Sequence, residues 1–145
     1  MFKAKDIMNA DIVTISPDDT VDQALSLMLQ YRITGLIVVD TDQRPVGVVS
    51  DYDLLDMVFD CHTEEDVVSH YMTRDVAAVD ETTGWTDVAD IIRERRIRRL
   101  PVTRDGRLVG IVTRHDLMRV VHDIRKLTRA KLGLLETSRT TEHSI

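Results

Sequence analysis

The chain has 145 residues, with 19 Lys and Arg against 25 Asp and Glu, a formal net charge of −6 and 43% hydrophobic residues. These figures fit one ordinary globular domain or two small halves sharing a core, and they exclude a disordered polyelectrolyte and any overall attraction for nucleic acid or an anionic membrane surface. The single cysteine, Cys61, rules out an intramolecular disulfide and a cysteine-rich zinc site, and no apolar run approaches the roughly 18 residues of a membrane span, so the chain reads as soluble and cytoplasmic, with no signal peptide.

From the N-terminus, "DIVTI" at 11–15 predicts a short strand, and "SPDDTVDQALSLMLQY" at 16–31 predicts a helix, because Val21, Ala24, Leu25 and Met28 recur at helical spacing. Thr20 with Gln23 is a capping box for its first turn. "GLIVV" at 35–39 and "VGVV" at 46–49 are apolar runs joined by a polar loop, which predicts an antiparallel hairpin, and a helix follows Ser50. "FDCHTEEDVVSHYM" at 59–72 reads as a bridge in which Thr63 and Asp66 cap a helical turn. The same order of elements then returns. Gly84 and Trp85 stand where Thr20 and Val21 stood, so the second long helix begins with a weaker cap and a bulkier anchor. Asp105-Gly106 marks the tight turn of the second hairpin. The last helix starts after Thr113 and is expected to be long, because Leu117, Val121, Ile124 and Leu127 or Thr128 form one stripe, for packing on its own domain or for half of a dimer seam. The closing "TSRTTEHSI" has little to bury and is expected to fray.

The return is an internal repeat. At an offset of 64, Met8 falls on Met72, Asp11 on Asp75, Arg32 on Arg96, Ile33 on Ile97 and Leu36 on Leu100. One residue is then lost in the hairpin loop, and at an offset of 63 "GVVSDYDLLD" (47–56) coincides with "GIVTRHDLMR" (110–119). Each copy is a strand, helix, strand, strand, helix unit too small to bury a core well alone, so the copies are expected to pack on each other.

The doubled phrase Gly, apolar, apolar, Ser or Thr, two variable residues and Asp, together with "DIM" at 6–8, "VTISPDDTVDQAL" at 13–25 and "RIRRLPV" at 96–102, resembles the cystathionine-beta-synthase (CBS) domain family, in the tandem pair called a Bateman module. The resemblance covers residues 3–122 and implies an α/β fold of two βαββα repeats, 3–60 and 69–122, packed about a pseudo-two-fold axis, with 61–68 as linker and 123–145 as a helical extension and tail. It implies a stand-alone regulatory module that is not an enzyme and requires no cofactor. Its regulatory ligand would be an adenine nucleotide (AMP, ADP or ATP) or S-adenosylmethionine, held in clefts crossed between the copies. Carried over residue by residue, cleft A combines Thr113, His115 and Asp116 with Thr14, Ile33 and Thr34, and cleft B combines Ser50, Tyr52 and Asp53 with Ala78, Ile97 and Arg98. The expected partners are a regulated protein and a second copy of the chain, with no nucleic acid and no membrane. The competing reading is a structural dimerisation scaffold without nucleotide.

The residue chemistry leaves alternatives open. An ionised Asp accepts hydrogen bonds from both ribose hydroxyls, and a hydroxyl beside free helix N–H groups suits phosphate. Yet Ser50 with Asp53 and Thr113 with Asp116 also have the spacing of helix caps, and the two roles are compatible. The resemblance puts Arg98 at the mouth of cleft B, where it would meet phosphate, while Arg93 and Arg95 read as a solvated helix end. His115 either bonds phosphate or stands exposed. Cys61, His62, Glu64 and Glu65 are metal-capable types in what reads as a capped linker. Met8, Met28, Met57, Met72 and Met118 are expected in the core. With hydroxyls at Thr14, Thr34 and Thr113, and with Asp51 beside Ser50 in the other cleft, cleft A is expected to bind a nucleoside monophosphate more tightly.

Overall fold

The computed structural model describes residues 2–59 and 66–143. A short helix α1 (Ala4–Ile7) precedes β1 (Thr14–Ile15), α2 (Val21–Tyr31), β2 (Gly35–Val39), β3 (Pro45–Ser50) and α3 (Asp51–Leu55), which runs on as a 3-10 turn over Asp56–Val58. A second 3-10 turn, Val68–His70, leads to β4 (Val79–Asp80), α4 (Trp85–Arg95), β5 (Arg99–Arg104), β6 (Arg107–Thr113) and α5 (Arg114–His143). The repeat in the sequence is therefore a repeat of structure.

Local chemistry accounts for the element boundaries. Thr20 and Gln23 form the expected capping box of α2, whereas Gly84 starts α4 with no side-chain cap. Both long helices stop on an arginine in the left-handed conformation, Arg32 at φ 53° and Arg96 at φ 52°. The second hairpin turns on Asp105 and Gly106, both at positive φ, as an Asp-Gly turn requires. α5 continues through His143, so the tail expected to fray is helical that far. Thr63, Cys61, His62, Glu64 and Glu65 lie outside the described residues. Asp66 is buried and accepts hydrogen bonds from the Val67 N–H at 3.0 Å, from the Tyr71 hydroxyl at 2.6 Å and from His70 Nδ1, which secures the second 3-10 turn.

Each half holds a three-stranded sheet, β1-β2-β3 and β4-β5-β6, with the outer pair β1/β2 (β4/β5) parallel and the hairpin antiparallel. The register repeats as well, down to a shift between Val38 and Val39 that is matched between Val102 and Thr103. Alternate residues divide the two faces of each sheet. Leu36, Val38 and Val49 join Val21, Ala24, Met28 and Leu54 in one core, and Leu100, Val102 and Val112 join Val88, Ile92 and Leu117 in the other. Ile37 and Pro101, between those positions, are also fully buried, on the opposite faces of their sheets.

The packing does not follow the division of the sequence into two copies. Ala4, Ile7 and Met8, which lead the first copy, pack in the core of the second, while Val68, Tyr71 and Met72, which lead the second copy, pack in the core of the first. The exchange is sealed by backbone bridges at equivalent places: Asn9 exchanges hydrogen bonds of 2.9 and 3.0 Å with Ile111, and Thr73 exchanges bonds of 2.8 and 3.0 Å with Val48. Met8, Met57 and Met72 thus sit partly buried against the cores and Met28 is buried in one, as expected, but Met118 is exposed because its face of α5 is turned away from both cores.

Glycine permits the crossing. A Cβ on Gly47 would lie 2.6 Å from Met72 Sδ and 3.2 Å from the Thr73 carbonyl, and one on Gly110 would lie 2.8 Å from Met8 Cγ and 3.1 Å from the Asn9 carbonyl. Gly110→Ala is therefore expected to lower the unfolding free energy by about 1–3 kcal/mol in urea titration, the usual cost of overpacking. Gly84→Ser, where a Cβ meets nothing within 4 Å, is expected to be neutral or to stabilise by a few tenths of a kcal/mol through a new cap.

Candidate functional site

Two cavities lie between the halves, one at the start of each closing helix. The first, of about 360 Å³, has Thr113 and Asp116 from the β6–α5 junction facing Ile12, Val13, Ile33 and Thr34 of the first copy, with Ile111 in its wall. The second, of about 310 Å³, has Ser50, Tyr52 and Asp53 from the β3–α3 junction facing Val76, Ala77, Ile97 and Arg98 of the second copy, with Val48 and Pro101 behind them. Both volumes lie at the lower end of the range of small-molecule sites, roughly 300–1,000 Å³. These are clefts A and B.

The sequence-predicted residues divide as follows. Ile33, Thr34, Thr113 and Asp116 meet in cleft A, and Ser50, Tyr52, Asp53, Ile97 and Arg98 meet in cleft B. Thr14 and Ala78 are in neither wall. The walls take instead the consecutive residues just ahead of them, Ile12 and Val13 in cleft A and Val76 and Ala77 in cleft B. The hydroxyl of Thr14 is accordingly not part of cleft A. His115 is exposed on the first turn of α5 and lines neither cleft, which leaves its exposed reading in place.

Both cap geometries are formed. The Ser50 N–H donates to Asp53 Oδ2 at 2.8 Å and the Asp53 N–H donates to Ser50 Oγ at 3.2 Å. Thr113 and Asp116 repeat these bonds at 2.8 and 3.2 Å, with the Thr113 hydroxyl donating to Asp116 Oδ2 at 2.9 Å. The aspartates differ in what is left over. Asp116 is buried, and its Oδ1 accepts from Arg119, whereas Asp53 Oδ1 receives nothing from the described residues. Arg119 holds its partner with an exposed side chain, while the Asp116 carboxylate is buried.

The electrostatics are mixed. Asp51 and Asp75 line cleft B, and Asp11 joins Asp116 in cleft A. Arg98 lies 6.0 Å above the ring of Tyr52 at the mouth of cleft B, which steers it by cation–π attraction. Arg99 lines both clefts and donates to Thr34 Oγ1 at 2.8 Å. Burial, and then the neighbouring charge of Arg98, lower its pKa from the usual arginine value, with Asp51 opposing. An arginine remains protonated under such a shift. Sequence reasoning passed over Arg99 within a run of arginines. The available signal was that its partner at an offset of 64 is Gly35, the largest exchange of size near the start of the second strand.

Among the described residues, no group of three or more His, Cys, Asp or Glu is disposed to hold a metal ion, and no helix is long and apolar enough to cross a membrane. Comparison with known proteins is consistent at every level. CBSX1 of Arabidopsis thaliana, a chloroplastic CBS domain-containing protein, is 35% identical over 145 aligned positions that cover 80% of this chain and 61% of that protein, so the chain spans about three-fifths of its length. The crystal structure of CBSX2 in complex with AMP matches with a TM-score of 0.77 and 36% identity over 86% of this chain and 99% of that one. The CBS domain pair of MJ0100, solved with 5-methylthioadenosine and S-adenosyl-L-methionine, matches with a TM-score of 0.74 and 25% identity over 85% of this chain and 98% of that one. The family model for the CBS domain matches twice, over residues 4–60 and 68–123, in the two units that the fold repeats. The chain belongs to the CBS domain family and carries two of its domains in tandem.

Proposed function

We propose that this CBS pair is a regulatory module that takes an adenine nucleotide or a related adenosyl ligand into the clefts between its repeats and signals its occupancy to a partner protein. The observation that carries the reading is the pair of crossed cavities with an acid at the start of each closing helix, in a chain 36% identical to a CBS pair solved with AMP. In cleft A, Asp116 would accept from ribose, Thr113 would meet phosphate and Val13 and Ile33 would flank the adenine. In cleft B, the corresponding groups are Asp53, Ser50, Ala77 and Ile97, with Arg98 near the phosphate. Every group named supplies a hydrogen bond, a charge or an apolar wall, which is the chemistry of binding. The ordering of the clefts by affinity rests on Asp51, whose charge opposes phosphate in cleft B, and the open Oδ1 of Asp53 works against it.

A homodimer belongs to the same proposal. Leu55 on α3 at 58%, Phe59 just past the 3-10 turn that follows it at 83%, and Met118 on α5 at 61% exposure leave apolar surface at equivalent places of the two copies, and Val121 extends it. Apolar surface at symmetric places suits an isologous contact with a second copy. Light scattering at micromolar concentration is expected to give twice the 16.5 kDa chain mass, and Phe59→Asp combined with Met118→Asp is expected to give the monomer.

Because each cleft is built from both halves, ligand binds the docked state and stabilises it. At about 100 times its dissociation constant, AMP is expected to add roughly 2.7 kcal/mol to the unfolding free energy. If AMP, ATP and S-adenosylmethionine at millimolar concentration all leave the melting temperature unchanged, the scaffold reading holds instead.

Capping and ribose binding are separable. Asp116→Ala is expected to cost about 1 kcal/mol of stability through the lost cap and to weaken cleft A by at least about tenfold through lost charge-assisted bonds. Asp116→Asn keeps an acceptor for the Thr113 N–H, so it is expected to spare most of the stability while still weakening AMP. Calorimetry and thermal melts of both variants, with the same pair at Asp53, check this for each cleft.

A further inference from the structure

We propose that Arg99 is one anion-binding centre shared by the two clefts, holding the phosphate of a ligand in either cleft and making phosphate-bearing ligands in the two antagonise each other. The inference rests on the reading of the clefts as adenosyl sites.

Arg99 and Thr34 are in the walls of both cavities. A side chain that reaches both must stand near the pseudo-two-fold axis that relates them, and Arg99 does, because it touches its own counterpart. Gly35 occupies the position of Arg99 in the first copy, and a Cβ built on Gly35 would fall 2.6 Å from Arg99 Cζ and 3.0 Å from its Nη2. The space over Gly35 is the space the guanidinium fills. An arginine in both copies would clash there, and a glycine in both would leave the axis without a cation. The pair therefore supplies one guanidinium for two clefts.

That guanidinium is poorly satisfied. Its side-chain hydrogen bond goes to the neutral Thr34 hydroxyl, and it forms no ion pair with the described residues. A guanidinium carries five N–H donors in a planar fork suited to phosphate, and one is spent on Thr34. The other arginines near the clefts, Arg32 in the wall of A and Arg98 in that of B, are exposed, where water and salt weaken them. With Asp11 and Asp116 in cleft A and Asp51 and Asp75 in cleft B, the half-buried cation decides whether either cleft accepts a phosphate at its inner end. The first phosphate to arrive takes up that charge. The second meets a neutralised arginine and a like charge across the axis, and linkage makes the penalty reciprocal.

Calorimetric titrations with AMP and with adenosine isolate the phosphate-dependent part of the difference between the clefts, and the same titrations in Asp51→Asn, where the gap between the two ligands is expected to persist, take away the inherent bias that Asp51 sets against phosphate in cleft B. In the wild type, the ratio of the two stepwise dissociation constants is expected to be at least about tenfold larger for AMP than for adenosine, within the usual range of coupling between sites. In Arg99→Gln, and likewise in Arg99→Met, the AMP ratio is expected to fall towards that of adenosine, leaving only the direct repulsion between the two phosphates. Equal ratios for both ligands in the wild type, a gap that disappears in Asp51→Asn, or one that survives loss of the arginine undiminished would overturn the proposal. If neither ligand binds, the adenosyl reading has failed, and inorganic pyrophosphate decides the anion centre by itself. One equivalent bound per wild-type chain and lost in Arg99→Gln supports it, and no such binding refutes it.

Discussion

The exchange of leading segments between the two repeats is the contact on which the rest of the molecule depends. A βαββα unit of this size has a sheet and two helices but too little apolar material to close its core, and the missing piece comes from the other copy. Ala4 and Met8 complete the second core, and Val68 and Met72 complete the first. Neither half is a self-contained domain, and the clefts between them are consequences of the same crossing. Asn9 on Ile111 and Thr73 on Val48 hold β6 and β3 where their ends, Thr113 and Ser50, face the opposite repeat.

At those ends one pair of residues both starts a helix and lines a cleft. Ser50 with Asp53 and Thr113 with Asp116 start a helix by satisfying its first N–H groups. The same bonds orient a carboxylate at the edge of a cavity, with its side-chain freedom already lost before any ligand arrives. Capping is then part of the preparation of a binding site, since a preorganised acceptor spares a ligand part of the ordering cost. The buried environment of Asp116 and the more open one of Asp53 make the two sites chemically distinct within a symmetric frame.

Departures from symmetry make the two clefts differ. Gly84 in place of Thr20 weakens a cap far from the clefts and changes only local stability. Arg99 in place of Gly35 puts a cation at the one location both clefts share, where a second copy of the side chain has no room. A tandem pair encoded in one chain permits this asymmetry, which two identical chains related by an exact axis could not adopt.

The repeat, the strand and helix order, the caps at Thr20, Ser50 and Thr113, and the Asp105-Gly106 turn were all legible in the residues, because each rests on neighbours within four positions or on similarity at a constant offset. Ile33, Ile97 and the two junction aspartates followed from the family pattern laid on that repeat. Beyond reach of such reasoning were the crossing of residues 4–9 and 68–73 into the other core, the apolar walls at Val13 and Ala77 in place of Thr14 and Ala78, the exposed position of Met118, and the position of Arg99 between the clefts. A leading segment carries the same apolar residues whichever core it enters, a two-residue strand has too little pattern to fix which of its neighbours faces a cleft, and one arginine in the stretch "RERRIRR" at 93–99 does not stand out until the opposite glycine is brought against it. Those outcomes depend on which surfaces meet, and docking of the two halves decides that.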